Sequence, residues 1–154
     1  MSKKLVDPSE LLNRYAAGER NFSNIYIEGA DELASANLSG IILNGAVFAE
    51  MLLNEINLSG SKLRETDFGQ ASLYGANLCG ADLTRANLRY AVLDSANFSD
   101  ACLVDAHLKG ASMGHANFTR CNLSGAEISE NPWLEGAIFC NTIMPDGSIR
   151  IPNT

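Results

Sequence analysis

A-N-L-C-G, A-D-L-T-R, A-N-L-R-Y, A-V-L-D-S and A-N-F-S-D fill residues 76–100, and this fivefold recurrence decides the fold. With the Leu or Phe of each unit taken as its centre, the series runs from Leu38 to Ile128 as nineteen consecutive units without a slip. Thirteen centres are Leu, four are Phe, and Met113 and Ile128 complete the set, so every centre is apolar. Two residues before the centre, thirteen of nineteen positions are Ala; the exceptions are Ile41, Met51, Ile56, Ser61, Thr66 and Cys121.

A period of five suits neither common element. Five steps of 100° spread residues around a helix, and a flat strand sends alternate centres to opposite faces. The pattern works if the chain bends at every unit, so that each unit supplies one large and one small inward residue. Four such sides close a square coil, and stacked coils pair along the axis like neighbouring strands. The expected class is all-β, a solenoid.

Outside the regular run the pattern continues with interruptions. Phe22 and Ile27 act as earlier centres, but one extra residue falls within Asp31–Ser35 before Leu38. Six residues separate Ile128 from Leu134, after which Phe139 and Met144 follow. Bulges are therefore expected around 31–35 and 129–133. Asp7 as a cap, Pro8 in the first turn, Glu10 and a stop at Gly18 predict a short helix, whose Leu11, Leu12 and Tyr15 share a face. Laid over the first coil, it would cover an open edge; Pro132 and Pro145 blunt the other end, with Trp133 and Leu134 as a plug.

The A-(N/D)-L-x-x units between Ala36 and Ser129 resemble the pentapeptide-repeat family. That resemblance implies a right-handed quadrilateral β-helix with four units per coil. Leu11–Phe22 is similar to the opening segment of cyanobacterial members, and Thr142–Ser148 to their closing one. The chain then divides into an N-terminal segment with its capping helix (1–20), the β-helix (21–144) and a C-terminal tail (145–154).

With four units per coil, residues twenty apart lie one above another. Phe48 is expected to stack on Phe68 and Phe98 on Phe118 in the core. Asn37, Asn57, Asn77, Asn97 and Asn117 form an outward column, read as an amide ladder along the axis that fixes coil register. Outward Ile42, Val47 and Leu52 are apolar where later units carry Asn or Asp. They are either covered by the N-terminal segment or form a partner-binding patch.

Composition narrows the functions. Eleven basic against eighteen acidic residues give a net charge of −7, which argues against a protein that tracks nucleic-acid phosphates. No apolar run approaches the ~20 residues of a membrane span, and the opening Met1–Leu5 lacks a signal peptide's apolar stretch; a cytoplasmic location is expected. The repeat itself generates Asn-x-Ser/Thr sequons, which carry no meaning without secretion. His107 and His115 occupy different repeat positions, and Cys79, Cys102, Cys121 and Cys140 show no metal-ligand spacing, so free thiols and no cofactor or metal are expected. Without a nucleophile, base or phosphate-cradling loop, the chain reads as no enzyme.

Two functions remain. One is a protein–protein interaction scaffold, monomeric or weakly homodimeric, with an unidentified protein partner. The other follows from the resemblance: some family members imitate duplex DNA and regulate type II topoisomerases. Arg85, Arg89 and Lys109 interrupt Asp82, Asp94, Asp100 and Asp105, so the surface is mixed rather than phosphate-like. A flat ice-binding lattice of Thr or Ser is not present outside the corner positions.

Overall fold

The computed structural model describes residues 2–29, 32–130 and 132–152. Parallel bridges join residues twenty apart throughout the regular run, as in Asn37 to Asn57 to Asn77. One column passes through Asn21, Ile42, Lys62, Asp82, Cys102, Asn122 and Ile143. Its seven rungs give six steps, or about 29 Å at the ~4.8 Å spacing of paired strands. The step grows to twenty-one residues at both ends, in Asn21 to Ile42 and in Ser112 to Trp133, where the sequence predicts an inserted residue. Of those two expected bulges, residues 31 and 131 lie outside the described residues.

The wall is made of isolated bridges rather than long strands because each side lasts only a few residues before a turn. The turn is stereotyped. The NH of Ile41 returns to the carbonyl of Leu38, and the third turn residue, Gly40, has φ +68°. Every fifth residue from Gly40 to Gly125 has positive φ, as type II turns require at that position. Glycine occupies only some of these corners; Glu50, Arg85, Tyr90 and His115 hold the same conformation.

Backbone groups are satisfied unit by unit. The NH of Asn57 donates to the carbonyl of Ala36 in the coil before, and its carbonyl accepts from Leu38. The corner NH of Gly40 donates to Ser59. These axial bonds and the turn leave one orphan, the NH just after the centre. Asn or Asp before the centre supplies the acceptor: Ser59 NH donates to Asn57 Oδ1 at 3.0 Å, and Gly69 NH to Asp67 Oδ1 at 2.9 Å.

That local bond corrects the amide ladder. Oδ1 of Asn37, Asn57, Asn77, Asn97 and Asn117 each accepts from the NH two residues on. Among the described residues this column has a single axial amide link, Asn57 Nδ2 to Asn37 Oδ1 at 3.1 Å. An oxygen aimed at its own turn orients the amide along the unit, and coil register falls to the main-chain bonds.

The core is a filled tube of centres and alanines, with Leu38, Leu83, Phe98 and Ala96 among its fully buried members. Phe48 and Phe68 stack at 5.6 Å between centroids, Phe98 and Phe118 at 5.1 Å, and Phe118 and Phe139 at 5.3 Å. The third contact crosses the insertion, so the twenty-residue rule misses it. Where a hydroxyl replaces the inward Ala, it finds a carbonyl: Thr66 Oγ1 donates to Leu43 at 2.9 Å and Thr142 Oγ1 to Phe118 at 2.5 Å.

The N-terminus closes one end. Strand β1 (Lys4–Val6) pairs in parallel with β2 (Ile25–Ile27). Helix α1 (Pro8–Ala16) is capped by Asp7, whose carboxylate accepts from Glu10 NH at 2.9 Å. Leu11 is fully buried, and the Tyr15 hydroxyl donates to the Ser39 carbonyl at 2.8 Å. At the far end β3 (Thr142–Ile143) and β4 (Ile149–Arg150) form an antiparallel pair. The Arg150 guanidinium lies 4.6 Å over the Phe139 ring. Trp133 does not plug this end: it bridges Ser112 on an outer side, while Leu134 packs partly against the core.

Candidate partner-binding side

Because each unit turns the chain to the next side, the outward residues sort into four surfaces of different chemistry. The side centred on Leu38 carries the Asn column with Ser39, Ser59, Ser99 and Thr119, all uncharged. The sides centred on Leu43 and Phe48, with the corners beside them, hold most of the ion pairs. Arg85 reaches Glu65 at 2.6 Å and Arg64 reaches Asp82 at 3.5 Å. Around Glu127 gather Arg89 at 2.9 Å, His107 Nδ1 at 3.1 Å and Lys109 at 3.8 Å. Hydrogen bonding from His107, aided by the positive charges of Lys109 and Arg89, holds the Glu127 carboxyl below the usual range.

Ile42, Val47 and Leu52 therefore part company. Ile42 stands between Asn21 and Lys62 on the Leu43 side, and Val47 between Tyr26 and Asp67 on the Phe48 side. Both are half-buried by these neighbours. Leu52 belongs to the Leu53 side, in the column of Ser72, Val92, Ser112 and Trp133. The three residues do not share a surface.

The Leu53 side is the apolar one. Leu52 is 46% exposed, Tyr74 49%, Val92 39% and Trp133 63%, and Tyr90 on the adjoining corner is 66% exposed. From Leu52 to Trp133 the stripe spans four coil steps, about 19 Å. Small residues let the large ones lie across the wall. A Cβ on Gly114 would stand 3.2 Å from Trp133 Nε1 and 2.7 Å from Asp94 Oδ1, and one on Gly110 would meet Tyr90 Cδ1 at 2.3 Å. Asp94 accepts from Gly114 NH at 3.0 Å and from the Ser112 hydroxyl, which fixes its carboxylate between Val92 and Trp133.

This side and its two corners hold six carboxylates, Glu32, Glu50, Glu55, Asp94, Glu130 and Glu135, and no Lys or Arg. Among the described residues none of the six enters an ion pair, in contrast to Asp82, Glu65 and Glu127. The rest of the chain carries twelve acids against eleven bases, so nearly all the net charge of −7 resides here.

Elsewhere the surface offers little for chemistry. Among the described residues no three His, Cys, Asp or Glu side chains gather as metal ligands, and no helix is long and apolar enough to cross a membrane. The four cysteines are unbridged; burial pushes the Cys121 thiol well up, while the other three are partly exposed. On the Asn side's corner, Arg120 clamps Asp100 with two bonds of 2.6 and 2.8 Å and holds its carboxyl low. This pair supports the fold above the ordinary carboxylate range, and its support is lost as pH falls through the lowered value. Carbon NMR titration is expected to find Asp100 protonating below ordinary aspartates, and R120Q to return it towards them. An unmoved Asp100 in R120Q would refute the pairing.

The sequence profile of the Pentapeptide repeats family matches eight copies within residues 32–130, and the chain belongs to that family. Its members are right-handed quadrilateral β-helices, generally structural repeat proteins without enzymatic activity. The chain is similar to the crystal structure of a pentapeptide repeat protein from the cyanobacterium Cyanothece 51142. Identity is 25%, the TM-score is 0.69, and the match covers 86% of this chain and 97% of that one. A pentapeptide repeat protein of the Arabidopsis thaliana thylakoid lumen is 36% identical over 65% of this chain and 66% of its own, with a TM-score of 0.41. HetL from the cyanobacterium Nostoc, involved in heterocyst differentiation regulation, is 24% identical with a TM-score of 0.38; the match covers 94% of this chain and all of HetL. No curated protein sequence matches the chain.

Proposed function

We infer that the chain is a non-enzymatic interaction scaffold of the cytoplasm whose protein partner docks on the Leu53 side. The observation that carries this reading is the concentration of exposed Leu52, Tyr74, Tyr90, Val92 and Trp133 on one side and its corner, whereas the Phe48 side exposes Tyr26 and the Asn side Ile138. Contiguous exposed apolar surface of this kind marks contact sites, and Tyr and Trp are the residues most often found at their energetic centres. The rod contributes rigidity: Tyr74, Tyr90 and Val92 sit on a wall tied above and below by main-chain bonds, and Leu52 and Trp133 at the ends of the column are each bridged to one neighbouring coil, so little ordering is left to be done on binding.

The topoisomerase alternative draws less support. A duplex mimic needs an acidic surface without apolar interruption, whereas Asp82, Glu65 and Asp100 are each paired with an arginine. The six carboxylates left unpaired among the described residues stand among exposed Leu52, Tyr74, Tyr90, Val92 and Trp133. Affinity capture with the intact chain, compared with a Y90S/W133S variant and with a K62S control on the Leu43 side, tests both. Loss of the captured partner in the double variant alone is the expected result. A partner retained by the double variant would overturn the assignment of the side. Topoisomerase subunits retained by that variant would replace the reading with the alternative.

A further inference from the structure

We propose that the occupant of the Leu53 side is a basic polypeptide segment in which Lys or Arg alternates with apolar side chains. This rests on the scaffold reading above and adds the chemistry of the partner. The argument is charge complementarity on an aromatic surface. Six carboxylates flank the stripe, none in an ion pair among the described residues. The nearest bases, Arg89 and Lys109 on the turns of Tyr90 and Gly110, are drawn to Glu127, and the rest of the chain carries twelve acids against eleven bases. Glu50 and Glu55 border Leu52 and Tyr74 on opposite corners, Asp94 lies beside Val92, and Glu135 follows Trp133. A cation arriving between two apolar contacts meets a carboxylate on one side and the face of Tyr74, Tyr90 or Trp133 on the other, and both attract it.

The same charge disfavours the other occupants. A second copy docking by this side would set twelve carboxylates against one another, and nucleic acid would meet the most acidic surface of the rod. An uncharged apolar segment would cover the rings but leave the six carboxylates unpaired at the rim. A basic segment satisfies both, and its approach is steered by the side on which the net charge is concentrated.

Selection of random short peptides displayed on phage against the immobilised full chain tests the proposal. The expected result is enrichment of peptides that mix Arg or Lys with Leu, Phe or Trp. Their binding should weaken about tenfold or more in Y90S/W133S and fall as salt is raised. A second variant, D94N/E135Q, keeps the apolar stripe and should also weaken binding and flatten the salt dependence. Circular dichroism and thermal melts confirm that each variant is folded. Enriched peptides that lack basic residues, or that bind D94N/E135Q as well as the intact chain, would overturn the partner's chemistry while leaving a binding scaffold. Basic peptides untouched by Y90S/W133S would overturn the choice of side. Failure to enrich any peptide on the folded chain would overturn both readings.

Discussion

Replacing Phe118 with Ala is expected to remove about 3–5 kcal/mol of stability, the upper range for a large-to-small change in a core. Phe118 is fully buried and stacked on both faces, against Phe98 at 5.1 Å with rings 1° from parallel and against Phe139 at 5.3 Å. Each stack adds roughly 0.5–1.5 kcal/mol beyond the area it buries. The tube cannot collapse into the void, because main-chain bonds hold the coils at fixed spacing and the neighbouring inward residues are Ala116 and Cys121. Phe118→Leu should cost less than Phe118→Ala, about 1–3 kcal/mol from the two lost stacks, since the same column already accepts Leu38, Leu58 and Leu78. Urea unfolding followed by circular dichroism reads both values. A loss under about 1 kcal/mol for Phe118→Ala would mean that the wall can close after all. Unfolding of the alanine variant in two steps is also an informative result, because stacked repeats depend mainly on their neighbours and the coils beyond the gap can melt alone.

Removing the first eighteen residues should have the second large effect, and on association rather than on one packing site. Val6 and Leu11 are fully buried, and β1 occupies the open backbone edge of β2. Without them the first coil presents apolar centres such as Phe22 and Leu33 together with unpaired NH and carbonyl groups, a surface that invites other chains. Hydrophobic-dye fluorescence should rise several-fold and size-exclusion chromatography should show oligomers at concentrations where the intact chain runs as one species. A truncated chain that stays monomeric with unchanged dye binding would show that the cap is dispensable. Leu11→Asp is the milder companion; it keeps the strand pairing while placing a charge where burial is complete, and should raise dye binding in part.

The architecture was legible because its signal is repetitive: a Leu, Phe, Met or Ile at every fifth position and Ala two before it admit one reading. The role of the Asn column was not, because stacking suggests bonds between coils, while the decisive group is the NH of Ser59 or Thr119 inside the same unit. The recurring Asn-x-Ser/Thr pattern held that clue, since Asn commonly accepts from the backbone two residues on. The Leu53 side escaped for a geometric reason. Its apolar residues occupy three different repeat positions, with Leu52, Val92 and Trp133 before the centre, Tyr74 after it and Tyr90 at the corner. Trp133 also enters its column only through the twenty-one-residue step. Ile42, Val47 and Leu52 stood out because they are five apart in sequence, and that spacing is the one that carries each to a different side.

A coil of twenty residues with four unlike surfaces restricts how such a gene can change length. Duplication or loss of twenty codons adds or removes one layer and leaves every surface continuous from end to end. A change of five or ten codons still gives a filled interior, but everything downstream is rotated by a quarter or a half turn, so the anchors near one terminus would face away from those near the other. Foldability tolerates any multiple of five, whereas a binding site spread over several layers tolerates only multiples of twenty. Gaps of five or ten residues among relatives would therefore identify lineages in which the continuous stripe no longer matters.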